Sequence, residues 1–145
     1  MGDDHYNLRR FIEAQDRAST YERALSELHA GRKQGHWIWF VFPQIHGLGS
    51  SDTARFYAIS SLREAAAYLR HPVLGPRLAE AAEALLELPE RDPVRILGDV
   101  DAMKLRSSMT LFGHVEGAPP VFRRVLDEFY AGESDPSTEQ RLGNQ

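Results

Sequence analysis

The stretch His36-Trp37-Ile38-Trp39-Phe40-Val41-Phe42-Pro43-Gln44-Ile45-His46-Gly47-Leu48-Gly49-Ser50 decides the fold class. It crowds both tryptophans and two phenylalanines against a glycine-rich turn, and it holds enough β-formers for one short strand. A strand needs a neighbour to pair its ladder, and no other segment of the chain reads convincingly as one. The segment is therefore read as irregular or short-helical, and the chain as all-α. Large aromatic side chains, two of them carrying an indole N–H that wants an acceptor, make such a loop either a plug in the core or the wall of a pocket.

On both sides of this loop the apolar residues recur at helical spacing. One or two amphipathic turns are expected over 7–14. Ser19-Thr20-Tyr21-Glu22 reads as a capping box for a helix that buries Tyr21, Ala24, Leu25 and Leu28 and stops at Gly31. Ser51-Asp52-Thr53 offers caps for a helix running through Ala54, Phe56, Tyr57 and Ile59. A second capping box, Ser61-Leu62-Arg63-Glu64, opens a helix with Leu62, Ala65, Ala66 and Leu69 inward that ends at His71-Pro72. Pro76 begins a helix with Leu78, Ala82, Leu85 and Leu88 buried, limited by Pro89. A short turn through Val94, Ile96 and Leu97 ends at Gly98. Asp99 or Asp101 caps the next helix, which carries Met103, Leu105, Leu111 and Phe112. The last long helix starts near Pro119-Pro120, buries Phe122, Val125, Leu126 and Phe129, and closes at Gly132. The expectation is a compact orthogonal bundle of about six or seven helices forming one domain over 1–145. Residues 133–145 are read as a polar, frayed tail, with Asp135-Pro136-Ser137-Thr138-Glu139 as the start of one further turn.

The chain has 145 residues, 42% of them hydrophobic, enough for a single continuous core and too few for a second domain. Its net charge of −4, with acids and bases interspersed, lacks the basic footprint of a nucleic-acid binder. There are no cysteines, which excludes disulfides, thiolate nucleophiles and cysteine-ligated metals and fits a reducing compartment. The N-terminal residues are acidic, with no apolar signal segment, so a cytoplasmic location is expected. The longest apolar run, Trp37 to Phe42, is far short of the roughly 20 residues needed to span a membrane. Six histidines show neither H-E-x-x-H nor a close i, i+4 pair, so no metal is expected, and no cofactor is implied. His36 and His46 flank the aromatic run and are placed near a pocket.

Two motifs carry candidate chemistry. Gly47-Leu48-Gly49-Ser50-Ser51-Asp52 precedes a helix and reads either as a tight turn with a cap or as an anion cradle of backbone N–H groups; it lacks the lysine of a P-loop. In Asp101-Ala102-Met103-Lys104-Leu105-Arg106-Ser107-Ser108-Met109-Thr110-Leu111-Phe112, helical spacing puts Lys104, Ser107, Ser108 and Leu111 on one stripe, with Asp101 one turn before Lys104. Facing inward, that stripe would offer a lysine suited to nucleophilic or basic work; facing water, it is a solvated face. No G-x-S-x-G or S-x-x-K motif supports a serine hydrolase.

These blocks, with Phe11-Ile12-Glu13-Ala14-Gln15, Gly31-Arg32-Lys33, Tyr57-Ala58-Ile59 and His71-Pro72-Val73-Leu74-Gly75-Pro76-Arg77-Leu78, resemble an uncharacterised bacterial family, number eighteen-ten among the domains of unknown function, over roughly residues 7 to 142. The resemblance implies a mainly helical fold and no established activity. The family is often mislabelled calpastatin, but a disordered protease inhibitor would not have this periodic apolar pattern. A looser similarity, in helical architecture and a lysine-bearing helix, links such domains to the ADP-ribose-processing superfamily of helical N-glycoside hydrolases, from whose surrounding motifs this chain departs.

Two functions follow. The first is an enzyme acting on a nucleotide-derived or ADP-ribose-like N-glycoside. In it Lys104 attacks or acts as base and Asp101 orients it; Trp37 and Trp39 stack a ring; and the backbone from Gly47 to Ser51, with Gly49 and Ser50, and Arg32 or Arg55 hold phosphate, with His36, Gln44, Ser107 and Ser108 completing the ligand site. The second is a non-catalytic domain that binds a small molecule or a protein with the same clusters. Both require the aromatic loop and the lysine-bearing helix to meet around one hollow.

Overall fold

The computed structural model describes residues 4–143; the expected domain's outermost residues, 1–3 and 144–145, lie outside the described part. The chain is all-helical. It runs α1 (Arg9–Asp16), a 3-10 turn (Arg17–Ser19), α2 (Thr20–Ala30), α3 (Ile38–Val41), α4 (Asp52–Phe56), α5 (Leu62–Arg70), α6 (Leu74–Leu86), α7 (Pro93–Leu97), α8 (Asp99–Gly113), α9 (Val121–Phe129) and α10 (Pro136–Gly143). The long elements fall where the apolar spacing puts them, and the extra ones are mostly single turns of four or five residues.

The aromatic run forms the one-turn helix α3. Among the described residues its β-formers find just one extended partner: Ile45 bridges Ile59 in parallel, with Ile59 N–H donating to Gln44 O and His46 N–H to Ile59 O. That bridge ends the helix expected through Ile59. Residues after Phe56 turn extended to pair with 44–46, so α4 stops at Phe56, which is exposed.

Capping follows side-chain chemistry at some ends and not at others. Ser61 Oγ accepts from Glu64 N–H and Ser51 Oγ from Ala54 N–H, as the motifs require. Ser19 does not cap α2. Ala18 and Ser19 both adopt left-handed backbone, where a capping residue is ordinarily extended, and the Ser19 side chain makes no cap hydrogen bond. Asp99 and Asp101 do not cap α8 either, whose N-cap is Gly98 at φ +89.

Of the tail expected to fray, the described residues 133–143 do not. The 136–143 segment is helical and packs on α8 because α8's polar strip is built to receive it. Arg106 donates to Glu133 O and Ser134 O, Thr110 Oγ1 accepts from Asp135 N–H, and Ser107 Oγ donates to Asp135 Oδ2. That same carboxylate oxygen takes Thr138 N–H and Thr138 Oγ1, capping α10.

One hydrophobic cluster joins the helices. Rings link them end to end: Phe11 of α1 meets Tyr68 of α5 edge-on at 5.1 Å, Tyr68 meets Phe112 of α8 at 5.3 Å, and Phe112 meets Phe122 of α9 at 6.0 Å. Arg10 ties the region behind the glycine loop to α1. It pairs with buried Glu64 at 2.9 Å and donates to the carbonyls of Tyr6, Asn7, Phe56 and Ala58. No helix is long and apolar enough to cross a membrane among the described residues.

Candidate functional site

The glycine loop and the lysine-bearing helix meet. A cleft of about 240 Å³ is lined from one side by Gln44, Leu48, Gly49 and Ala54 and from the other by Val100, Met103, Lys104 and Ser107 of α8, with Asp135 and Ser137 at the start of α10. A smaller hollow adjoins it, sharing Gln44, Leu48, Gly49 and Ala54 and adding Trp39 and Tyr57.

Lys104 sits at the junction. Its Nζ lies 4.6 Å from the centroid of the Trp39 ring and 3.7 Å from Asp101 Oδ1. Asp101 has a closer partner that sequence reading missed: Lys33, whose side chain is only 8% exposed, approaches Asp101 Oδ2 to 2.7 Å, donates to Gly35 O and stands 5.0 Å over the Trp37 ring. The signal was available in principle, because Lys33 stands three residues before the aromatic run at His36, but nothing in the sequence says that residues 33 and 101 are neighbours.

Trp37 is part of the core. It is buried, and its indole N–H donates to Glu27 Oε1 at 2.9 Å, an oxygen that also accepts Gln34 N–H and Gly35 N–H. Gly35 must be glycine for the indole to reach it, since a Cβ there would lie 2.9 Å from Trp37 Cδ1. Burial alone would raise the Glu27 carboxyl, but the N–H groups of Gly35 and Gln34, the Trp37 indole and the Lys33 charge together hold it below its ordinary value.

The remaining candidates divide. Gln44, Gly49, Lys104 and Ser107 line the cleft, and Gly47 and Trp39 line the adjoining hollow. His36 borders a separate cleft of about 290 Å³ with Thr20, Arg23, Glu27 and Phe40, because the turn at 35–36 carries it to the α2 side. Ser108 is sealed in the core, and its Oγ has no hydrogen-bond partner among the described residues. Arg32, Arg55 and Ser50 are exposed and line neither the cleft nor the hollow. The stripe expected on α8 therefore splits: Lys104 turns to Trp39, Ser107 to α10 and Ser108 inward. Met103, carried on the same helix, is 71% exposed at the lip of the cleft.

The N–H groups of Gly47, Leu48, Gly49 and Ser50 donate to no described residue and so remain available to a ligand or to water. Gly47, at φ +90, is held by Arg141 of α10, whose guanidinium donates to its carbonyl at 3.3 Å. Among the described residues, no three His, Asp or Glu side chains converge in a way that would hold a metal ion.

The chain belongs to the family described as protein of unknown function (DUF1810), whose model matches residues 5–142. Among solved structures it is similar to the crystal structure of the conserved hypothetical protein Rv1873 from Mycobacterium tuberculosis. The two are 47% identical, with a TM-score of 0.91 over 94% of this chain and 96% of that one. No curated protein matches.

Proposed function

We propose that this chain is a cytoplasmic small-molecule-binding protein whose cleft takes an anionic, nucleotide-derived ligand. The observation that carries the reading is the position of Lys104 in the same cleft as Leu48 and Gly49, whose backbone N–H groups, like that of Gly47 in the adjoining hollow, donate to no described residue. An ammonium opposite free backbone N–H groups attracts an anion, and the Trp39 ring and the Asp101 carboxylate hold that ammonium in place. Apolar Leu48, Ala54, Val100 and Met103 supply the remaining wall, the usual makeup of a ligand site: mostly apolar with a few placed polar groups.

Binding ranks ahead of catalysis because the cleft offers no idle carboxylate. Asp135, the acid lining it, already accepts from Ser107 and twice from Thr138, and Asp101 is engaged by Lys33. Hydrolysis of an N-glycoside stabilises a cationic transition state, commonly with a carboxylate. The enzymatic reading keeps one supporting contact, Lys104 beside Asp101, and assigns attack or proton transfer to Lys104.

The test is a thermal-shift titration with inorganic pyrophosphate and adenine nucleotides. A ligand at 100 times its Kd adds about 2.7 kcal/mol. Stabilisation that disappears in Lys104→Ala supports the reading, and stabilisation that survives it overturns the role of Lys104. Release of free ADP-ribose from ADP-ribosylated nucleosides, lost in the same variant, would favour the enzyme instead.

A further inference from the structure

We infer that Gln44 selects the ligand by reading the edge of a planar heterocycle, so that the cleft takes a purine or pyrimidine mononucleotide. This assignment rests on the anion-binding role of Lys104 argued above.

Gln44 is fixed through its backbone and idle at its side chain. Its carbonyl accepts Ile59 N–H at 2.8 Å, and it lies between buried Pro43 and buried Ile45, which bridges Ile59. Its amide pairs with no described residue. The contrast is with Gln15, buried in α1, whose amide is fully engaged: Nε2 donates to Phe40 O and Tyr68 Oη, and Oε1 accepts from Arg77. The buried amide of Gln15 finds all its partners within the fold, whereas the half-buried amide of Gln44 has none among the described residues while lining both the cleft and the hollow beside Trp39.

The surroundings suit a flat ring. Leu48 and Ala54 face the cleft from the loop side, and Val100 and Met103 from α8; the latter two are 64% and 71% exposed, an apolar lip left bare. A heterocycle seated between them covers that surface, with the Met103 thioether against its π system. A glutamine amide offers one donor and one acceptor side by side, the pattern that pairs with the neighbouring amino group and ring nitrogen of adenine. Lys104 then takes the phosphate end. At about 240 Å³ the cleft is just below the usual range of roughly 300–1,000 Å³, so a single nucleotide, not a dinucleotide, matches it.

The experiment compares inorganic phosphate, ribose 5-phosphate and adenosine 5′-monophosphate by calorimetric titration. It uses the unaltered chain, Lys104→Ala, and Gln44→Met, which keeps side-chain length and leaves no described partner unpaired. The unliganded melting midpoint of each variant reads its folding directly. The expected result is that the mononucleotide binds on the order of 10-fold tighter than ribose 5-phosphate. Gln44→Met erases that preference while leaving ribose 5-phosphate unchanged, and Lys104→Ala weakens both. A mononucleotide no tighter than ribose 5-phosphate, or a preference that survives Gln44→Met, overturns the Gln44 assignment and leaves the anion site standing. Failure of all three probes to bind overturns the anion site and the assignment together.

Discussion

Arg10→Met tests whether the polar clamp behind the cleft holds the fold together. Arg10 and Glu64 are 8% and 3% exposed at the side chain and meet at 2.9 Å, and the guanidinium also satisfies four backbone carbonyls. Methionine matches the stem and removes the charge. Glu64 Oε1 keeps Ser60 N–H and Ser60 Oγ, but Oε2 loses its cation in a buried site, and the carbonyls of Phe56 and Ala58 lose their donor. Removing one partner of a buried pair costs about 3–5 kcal/mol, a large part of the 5–15 kcal/mol typical of a folded domain. At about 2–4 °C per kcal/mol for a chain near this size, the melting midpoint should fall by roughly 6–20 °C. Urea titration gives the free energy directly. The double variant Arg10→Met/Glu64→Gln, which removes the stranded charge, should be more stable than Arg10→Met alone. A single-variant cost below about 1 kcal/mol, or a double variant no better than the single, would show that solvent or neighbouring dipoles already compensate Glu64 and would refute the argument. Exposed Arg123–Asp127 is the control, with an expected effect under about 1 kcal/mol.

Three further outcomes are expected. Gly75→Ala places a Cβ 2.1 Å from the Leu69 carbonyl oxygen, where backbone has to move, so urea unfolding should show a loss of about 1–3 kcal/mol with no change in slope; a neutral result would mean that α5 and α6 separate freely. Ser108→Ala removes a sealed hydroxyl that has no partner and should be neutral or stabilising by up to about 1 kcal/mol, against the usual sign of a core truncation; a clear loss would reveal an acceptor for that hydroxyl. For Glu27 the folded carboxyl sits below its ordinary 4.5, so its ionised form contributes stability that is complete above that pH and is lost as pH falls toward the folded value. Glu27→Gln should therefore flatten the acid limb of a stability–pH curve, and an unchanged limb would remove Glu27 from acid unfolding.

The helices were legible because burial imposes a period the sequence cannot hide. Val121, Phe122, Val125, Leu126 and Phe129 of α9 are all buried, and Gly31 closes α2 in left-handed backbone. What failed was local chemistry overruled by tertiary pairing. Ser19 has the cap sequence and no cap. On α5 the buried face is Glu64, Ala65 and Tyr68, with Leu62 and Ala66 only half-buried, because Arg10 draws a carboxylate inward that a hydrophobic pattern assigns to water. The polar strip of α8 reads the same way in sequence whether it meets solvent, a ligand or α10, and only its partners distinguish these. Arg106, Ser107 and Thr110 are spent on the 133–138 connection, which is also why that polar stretch is ordered.

The division of labour between two lysines turns this arrangement into a candidate site. A single carboxylate, Asp101, faces both, but not equally: Lys33 is nearly buried and 2.7 Å away, whereas Lys104 is more exposed and 3.7 Å away. The shorter pair, with Lys33 also bound to Gly35 O and lying over Trp37, fixes the start of α8 against the aromatic loop. Because Lys33 satisfies Asp101, Lys104 is held mainly by the face of Trp39 and keeps its N–H donors free toward the cleft. Lys33→Met should therefore lower stability, whereas Lys104→Met should leave stability nearly unchanged and act on ligand affinity alone. Equal losses of stability from the two substitutions would mean that both lysines are structural and that the cleft lacks its cation for recognition.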